Sequence, residues 1–183
     1  YYKISYDVYN KGGYIISFFL GPATVALALP LYKKMKLLKE NLIPILVGVF
    51  VGSLTGILSV IGLSKLFKLD EIFIMSMIPK STTSAIAIDI ANSIGGSPAL
   101  VIAFVIVTGT IGNIIGPSLL RFLKINNKIA KGIAIGTSSH VIGTAKAVEL
   151  GDTEGAMSSL AIGVAGIVTV FLVPLVLSLI NLL

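Results

Sequence analysis

Four stretches of this chain contain no Asp, Glu, Lys, Arg or His, and they restrict its possible folds more than any other feature of the sequence. They are residues 12–32, 41–64, 90–120 and 155–183. A helix needs roughly 20 apolar residues to cross the hydrocarbon core of a bilayer; the first stretch just reaches that length and the others exceed it. A soluble helix of this length would show a polar face. The stretches therefore predict an all-α, polytopic transmembrane helical bundle.

The positions of the charged residues support this prediction. Charged residues form 12% of the chain, about half of their usual share in soluble domains. The basic ones cluster beside apolar runs, at residues 33–39 and 121–131, as in cytoplasmic loops under the positive-inside bias. We therefore attribute the net charge of +6 to orientation in a lipid bilayer and contact with its anionic headgroups, and not to nucleic-acid binding.

Six membrane segments are predicted, and they alternate in character. Segments one, three and five are short or interrupted by Gly, Pro, Ser and Thr, whereas segments two, four and six are continuous and rich in Gly. Glycines spaced four apart on segments two and four favour close helix packing; they are Gly48, Gly52, Gly56, Gly112 and Gly116. The approximate bounds of the six segments are 13–32, 42–65, 72–92, 97–122, 132–150 and 155–181.

An offset of 57 residues relates several features of the chain, for example Ile78 to Ile135 and Pro117 to Pro174. Each unit has a Gly/Pro/Ser/Thr break, a weakly apolar half and a long uncharged helix. We interpret this order as a repeat. The sequence thus predicts one membrane domain, residues 1–183, with three repeats near 21–77, 78–134 and 135–183.

The topology of the third segment is open. Both basic clusters should face the cytoplasm, yet three full crossings between them would place them on opposite sides of the membrane. If segment three is re-entrant, they fall on the same side. Non-helical backbone is tolerated at membrane depth where protein or water covers it. The sequence alone does not decide between the two topologies.

The break at residues 78–84 carries the first candidate site. Lys80 lies between apolar stretches and is followed by four hydroxyl residues, Ser81 to Ser84. Pro, Ser and Thr mark a helix start, whose free N–H groups and dipole attract anions. Together with an ammonium, this pattern predicts a site for a small carboxylate. The alternative is that Lys80 reaches to the interface and the hydroxyls cap a helix; the expense of an ionisable group at membrane depth favours function.

The break at residues 136–146 contains His140, the chain's single histidine. An imidazole can change charge near neutral pH, which suits a proton-coupled step, but a neutral histidine hydrogen-bonded between helices is an equally good interpretation. One histidine without cysteine cannot supply a zinc site, and no G-x-S-x-G elbow accompanies the hydroxyls. We therefore expect neither a metal or other cofactor nor enzymatic activity.

Two opposite charges occupy positions that the 57-residue offset makes equivalent, Asp89 and Lys146. Two interrupted helices related by a pseudo-symmetry axis could pair these side chains and lower the desolvation cost of both. The alternative is that both face water at segment ends.

At the interrupted segments the chain resembles the LrgB/CidB family. The resemblance rests on residues 18–33 (FFLGPATVALALPLYK), on Pro79-Lys80-Ser81-Thr82-Thr83 with Ala87-Ile88, and on 136–140 with 142–145, and it covers essentially the whole chain. It implies one or two further hydrophobic segments before Tyr1, a multi-pass location in the bacterial plasma (inner) membrane, and a smaller LrgA/CidA-type membrane partner. We also expect a homo-oligomer.

The resemblance implies two different functions. One is a holin/antiholin-like role in murein hydrolase export, cell lysis and programmed cell death. The other is transport of small 2-oxo- or 2-hydroxy-monocarboxylates of the pyruvate, glycolate, glycerate or lactate class. A lytic pore needs helices with a polar stripe, which these spans lack, whereas a carrier needs a few buried charges and broken helices. We therefore predict a secondary transporter that is coupled to protons.

The predicted site combines the breaks. Lys80 would bind the carboxylate, and His140 would bind the substrate or the coupled proton. Hydrogen bonds would come from Ser81, Thr82, Thr83, Ser138, Ser139 and Thr144, with Pro22, Ala23 and Thr24 on the opposite wall.

Overall fold

The computed structural model describes residues 12–14, 18, 19, 21, 22, 25, 29 and 32–180. From residue 35 to residue 180 the chain is helical and contains no strand, which confirms the all-α prediction for this part. The predicted first segment, 13–32, lies mostly outside the described residues. The helices are α1 Met35–Glu40, α2 Leu42–Leu66, α3 Glu71–Met77, α4 Ser84–Ser93, α5 Pro98–Phe122, α6 Lys128–Leu150 and α7 Asp152–Leu179.

Among the described helices, α2, α5 and α7 are long and apolar enough to cross a membrane. They coincide with predicted segments two, four and six. Their outer faces carry large exposed apolar side chains such as Phe50, Ile106 and Phe171, an arrangement suited to contact with lipid. The chain is therefore a helical membrane protein with at least these three candidate spans.

Helices α2 and α5 end in the same way, with a lysine in the left-handed conformation. Lys68 has φ 52° and Lys124 has φ 56°. The next N–H in each case bonds back to the third-last helical residue, Leu69 to Ser64 O at 3.0 Å and Ile125 to Leu120 O at 2.9 Å. This is the Schellman arrangement, and each lysine adds positive charge at the negative end of the helix dipole.

The chain between α2 and α5 folds back on itself. Helix α3 ends at Met77, residues 78–83 form a tight turn, and α4 returns the chain to the level of Met75. The N–H of Ser97 donates to Ser76 Oγ at 2.9 Å, and a Cβ on Gly96 would lie 3.2 Å from Met75 O. We call residues 71–93 hairpin 1 and residues 78–83 its tip. Predicted segment three is thus broken.

Helix α6 also reverses direction, at His140, whose φ of 44° and ψ of −140° are non-helical. A Cβ on Gly143 would lie 3.1 Å from Ile135 Cγ2, although eight residues of straight helix would separate the two by about 12 Å. Ile135 and Ala147 likewise share one buried cluster. We call residues 128–150 hairpin 2 and the backbone around His140 its tip. Predicted segment five is broken here.

The two hairpins pack at opposite ends of α2 and α7, which run parallel. The first half of α2 (Ile45, Val49) and of α7 packs with hairpin 2 at Ile133. The second half of α2 and of α7 packs with hairpin 1, for example at Ile74 and Ile90. The tips therefore approach each other near the middle of the bundle.

The left-handed backbone conformation at position 140 should make glycine more stable than alanine there. His140→Gly should unfold at a higher temperature in detergent than His140→Ala, because both remove the ring but a residue with a Cβ retains strain of about 1–3 kcal/mol in this region.

A matched control lies in the regular helix of the same hairpin. Ala145 is exposed in that helix, and Ala145→Gly should lower the free energy of unfolding by about 0.5–1 kcal/mol. Glycine should therefore be less stable than alanine at position 145 but more stable than alanine at position 140. If alanine is also preferred at position 140, the chain does not reverse there.

Candidate functional site

A cleft of about 1090 Å³ lies between α2, α5 and hairpin 2. On α2 its wall extends from Asn41 to Gly56, about 22 Å along the helix. On α5 and hairpin 2 it extends from Leu119 and Asn127 inward to Thr108 and Ser139. The cleft thus leads from the end of the bundle that carries the basic clusters to the level of the tips. At its inner end it is lined by Lys80, Ser81, Thr137, Ser138 and Ser139.

Lys80 is the charged residue of the cleft wall. Its side chain is half-buried at the tip of hairpin 1, and its Nζ lies 3.5 Å from Ser81 Oγ. Within residues 32–180 no carboxylate approaches its ammonium within 4.0 Å, since the ion pair found there joins Lys146 and Glu149. A partly dehydrated cation without a protein counter-ion favours the entry of an anion.

The predicted hydroxyl residues divide into two groups. Ser81, Ser138 and Ser139 line the cleft, and the last two share a hydrogen bond of 2.9 Å. Thr82 and Thr144 are buried and do not line it. Their hydroxyls stabilise the two tips from within.

Each tip hydroxyl bonds a backbone carbonyl at the turn, and Pro79 O also accepts the N–H of Thr82 at 3.1 Å. Thr82 Oγ1 donates to Pro79 O at 2.9 Å. Thr144 Oγ1 lies 2.9 Å from His140 O and 2.7 Å from Ser158 Oγ on α7. Thr83 is the N-cap residue of α4, but its side chain makes no cap hydrogen bond. Capping by this hydroxyl, one of the alternatives raised by the sequence, is therefore not seen.

His140 is 2% exposed and does not line the cleft. Its Nε2 donates to Val105 O of α5 at 2.9 Å, so this nitrogen carries the proton. The geometry matches the interpretation of a histidine hydrogen-bonded between helices. The two tips nevertheless lie close together, because Ser81 of one tip and Ser139 of the other line the inner end of the same cleft.

The proposed pairing of Asp89 with Lys146 is not present. Lys146 forms its ion pair with Glu149, one turn further along hairpin 2, and Asp89 is exposed on α4. Because both side chains reach solvent-accessible space, neither needs the other to offset a desolvation cost. Of the predicted opposite wall, Pro22 is exposed, and Ala23 and Thr24 lie outside the described residues.

Sequence reasoning missed two polar residues. Asn113 of α5 donates from Nδ2 to Ile142 O at 2.8 Å and so connects α5 to the tip of hairpin 2. Thr137 lines the cleft, is 6% exposed, and its Oγ1 has no hydrogen-bond partner among the described residues. Thr137 stands directly before Ser138 and Ser139 in the sequence, which was the available signal. In the described part of the chain no group of three acidic or histidine side chains could hold a metal ion.

Some of the glycines that the sequence predicts at helix contacts do lie there, and others line the cleft. A Cβ on Gly52 would lie 3.0 Å from Thr137 Cγ2, and a Cβ on Gly112 would overlap Ser139. These glycines let α2 and α5 approach hairpin 2 closely. At Gly56 and Gly116 an added Cβ would meet no atom within 4 Å, and both residues line the cleft instead.

Comparison with family models and with known proteins relates this chain to LrgB-like proteins. The model of the LrgB-like family matches residues 1–179. The antiholin-like protein LrgB of Bacillus cereus (strain B4264) is 41% identical over 173 residues, which are 94% of this chain and 75% of that protein. The uncharacterized protein YwbG of Bacillus subtilis (strain 168) is 41% identical over 176 residues, 96% of this chain and 78% of that protein. No solved structure matches the chain.

The packing of α5 against the second tip predicts different outcomes for two glycines of one helix. Gly112→Ala would place a methyl group 2.5 Å from Ser139 Cβ and should destabilise the protein by about 1–3 kcal/mol, as overpacking does. Gly116→Ala meets open space and should leave the unfolding temperature in detergent unchanged.

A second substitution identifies the cause of any destabilisation. Ser139→Gly in the Gly112→Ala background removes the overlapping side chain and should restore much of the lost stability. Equal effects of alanine at 112 and 116 would contradict the close approach of α5 to the tip.

Proposed function

The chain belongs to the LrgB-like family, and from this premise we propose that it is a secondary transporter of small monocarboxylates that binds its substrate between the tips of two helical hairpins. The observation that carries the proposal is Lys80, a half-buried cation without a carboxylate partner among the described residues, on the wall of a deep cleft. The hydroxyls of Ser138 and Ser139 stand on the same wall. A positive charge and a few hydroxyls suit a small carboxylate anion.

The order of elements supports an inverted repeat. Helices α2 and α5 begin at Leu42 and Pro98, 56 positions apart, and their left-handed lysines are also 56 positions apart. Hairpin 1 begins at 71 and hairpin 2 at 128, an offset of 57. Each repeat would thus consist of one span followed by one hairpin; its length is close to that of the 57-residue unit that the sequence indicated, but it begins at the long span and not at the break.

Re-entrant hairpins would also place both basic clusters on the same side of the membrane. If hairpin 1 enters and leaves on one side, then α2 and α5 alone separate residues 33–39 from residues 121–131, and both clusters face the cytoplasm as the positive-inside bias requires. Hairpin 2 would then enter from the cytoplasmic side. This is the arrangement in which transporter sites form near the membrane midplane, between broken helices of opposed repeats.

The position of the cleft supports alternating access. It leads from the basic, cytoplasmic end of the bundle to the tips, while the other end is closed by the apolar cluster of α2, hairpin 1 and α7. In this proposal the structure is the inward-open state. Release of the substrate to the opposite side would require hairpin 1 to separate from α2 and α7. We retain proton coupling, a homo-oligomer and a smaller LrgA/CidA-type partner as parts of the proposal.

An antiholin-like role in the control of murein hydrolase export and lysis is the second candidate. The Bacillus cereus relative is named antiholin-like protein LrgB, and this name favours such a role over the transport of a specific acid. The two roles are compatible, because carboxylate and proton flux alters the state of the membrane on which lysis depends. A wide lytic pore finds less support in the predominantly apolar cleft wall.

The proposed topology can be tested by labelling, because the chain contains no cysteine. Single cysteines at the exposed positions Lys36 and Asn126 should react with a membrane-impermeant maleimide only after permeabilisation of intact cells. A cysteine at the exposed Lys68 should react without permeabilisation. Reaction of Asn126→Cys from outside, with Lys36→Cys protected, would mean that residues 71–93 cross the membrane completely.

The site can be tested by uptake of labelled pyruvate, lactate and glycolate into proteoliposomes, with and without a pH gradient. Lys80→Gln should lower the affinity by roughly ten- to hundredfold, because a hydrogen bond to a charged group contributes about 1.5–3 kcal/mol. Its unfolding temperature should not fall, since a partly buried unpaired charge is removed. Lys65→Gln, exposed at the end of α2, is the matched control and should transport normally.

Two outcomes would contradict this site or this function. Normal affinity in Lys80→Gln removes Lys80 from the site. No saturable uptake by the unsubstituted protein, together with leakage of large dyes, would support the holin-like role instead.

A further inference from the structure

We propose that a small cavity behind the tip of hairpin 1 binds one Na⁺ ion, and that binding of this ion is linked to binding of the anion in the neighbouring cleft. The link rests on the proposed function, whereas the cation site itself does not. Neither the motifs of the sequence nor the names of the relatives indicate such a site.

The cavity lies where α2, the tip of hairpin 1 and α7 meet, and its volume is about 10 Å³. This volume is at the lower limit for one water molecule, and a Na⁺ ion without its hydration shell is smaller than water. The cavity is distinct from the cleft but adjoins it, since Gly56 and Ser81 line both. This shared wall gives an ion a short path from the cleft.

Two buried hydroxyl residues on the cavity wall are available as ligands. Ser53 of α2 is 7% exposed and Thr169 of α7 is 4% exposed, and both line the cavity. Ser59 on α2 bonds back to Gly56 O of its own helix at 2.9 Å. In contrast, no hydrogen bond joins Ser53 or Thr169 to another described residue, and their oxygens are not enclosed as that of Thr137 is. Buried hydroxyls of this kind in a native structure indicate an absent partner.

The tip of hairpin 1 adds backbone oxygens to the same wall. Pro79 has no N–H and interrupts the helical bonding, and the N–H of Lys80 bonds to Met77 O at 3.1 Å. No backbone hydrogen bond of the described turn ends on Ile78 O, and Ile78 lines the cavity. Hard cations prefer oxygen ligands, and the carbonyls of unwound helices coordinate ions in transporters. Because no carboxylate lines the cavity, a monovalent ion fits better than Ca²⁺ or Mg²⁺.

Lys80 links this site to the substrate. Its ammonium belongs to the same tip, and its charge opposes a second cation nearby. A carboxylate bound in the cleft would neutralise the ammonium and so remove the repulsion. Anion and Na⁺ should therefore bind more tightly together than separately, and each must raise the affinity of the protein for the other by the same factor.

Thermal unfolding in detergent tests the cation site without any substrate. Replacing choline chloride by NaCl at constant ionic strength should raise the unfolding temperature by about 2 °C or more, because an ion that binds the folded state stabilises it. Thr169→Val keeps the shape and removes one ligand. This variant should lose the rise, yet it should not unfold at a lower temperature in choline chloride. Thr55→Val, on the exposed face of α2, is the control and should keep the rise.

Uptake of labelled pyruvate into proteoliposomes tests the link to the anion. Na⁺ in place of choline should raise the apparent affinity for pyruvate by about fivefold or more. Thr169→Val should abolish this effect and leave uptake in choline chloride unchanged. An affinity for pyruvate that does not respond to Na⁺ overturns the link.

The outcomes separate this inference from the transport proposal. Equal unfolding temperatures in the two salts, or a rise that both Ser53→Ala and Thr169→Val retain, would mean that the cavity holds water only; the cation site then fails and the transport proposal stands. If the protein takes up none of the acids but Na⁺ still stabilises it through Thr169, the proposed function and the link fail and the cation site stands.

Discussion

Backbone carbonyls at the hairpin tips must be satisfied without water, and the rest of this structure depends on how that is done. Reversing a helix inside an apolar bundle removes hydrogen bonds that the bilayer cannot replace. At the second tip, Thr144 and Asn113 donate to the carbonyls of His140 and Ile142. At the first tip, Thr82 donates to Pro79. Some side chains that the sequence predicts as substrate ligands therefore donate hydrogen bonds to the backbone at the tips instead.

This constraint explains why the glycines and the polar residues occur together. A donor such as Asn113 reaches the tip only because α5 approaches hairpin 2 closely, and Gly109 and Gly112 allow that approach. His140 crosses the same contact to reach Val105 O. Close packing and hydrogen bonding are thus parts of one interface, as is usual between helices in membranes.

Much of the fold could be predicted from the sequence, because span length and absence of charge are local properties. The bounds of α2, α5 and α7 differ from the predicted bounds by only a few residues, and the breaks at Pro79 and His140 occur where Gly, Pro, Ser and Thr accumulate. The direction of the chain after each break could not be predicted, since a Pro- or Gly-containing helix can kink or reverse. Only contacts such as the approach of Gly143 to Ile135 distinguish a kink from a reversal.

The candidate site was predicted less completely, for a related reason. Lys80 could be recognised because an ionisable residue in an apolar context is rare and costly. Which hydroxyls face the cleft depends on rotamers and on the position of neighbouring helices, so Thr144 was placed in the site and Thr137 was not. The pairing of Asp89 with Lys146 was inferred from sequence equivalence. Equivalent positions of two opposed hairpins need not meet, because only their tips converge.

The charge of Lys80 has a consequence for the energetics of the proposed carrier. A bound monocarboxylate neutralises the ammonium, so the loaded site can change its exposure without moving net charge across the membrane. The empty site carries the ammonium alone, and moving one charge through the field involves about 2.3 kcal/mol per 100 mV. The return step, and not the loaded step, would therefore respond to the membrane potential. If a proton accompanies each anion, the loaded site carries the same single positive charge as the empty site; both steps then respond to the potential, and the complete cycle moves no net charge.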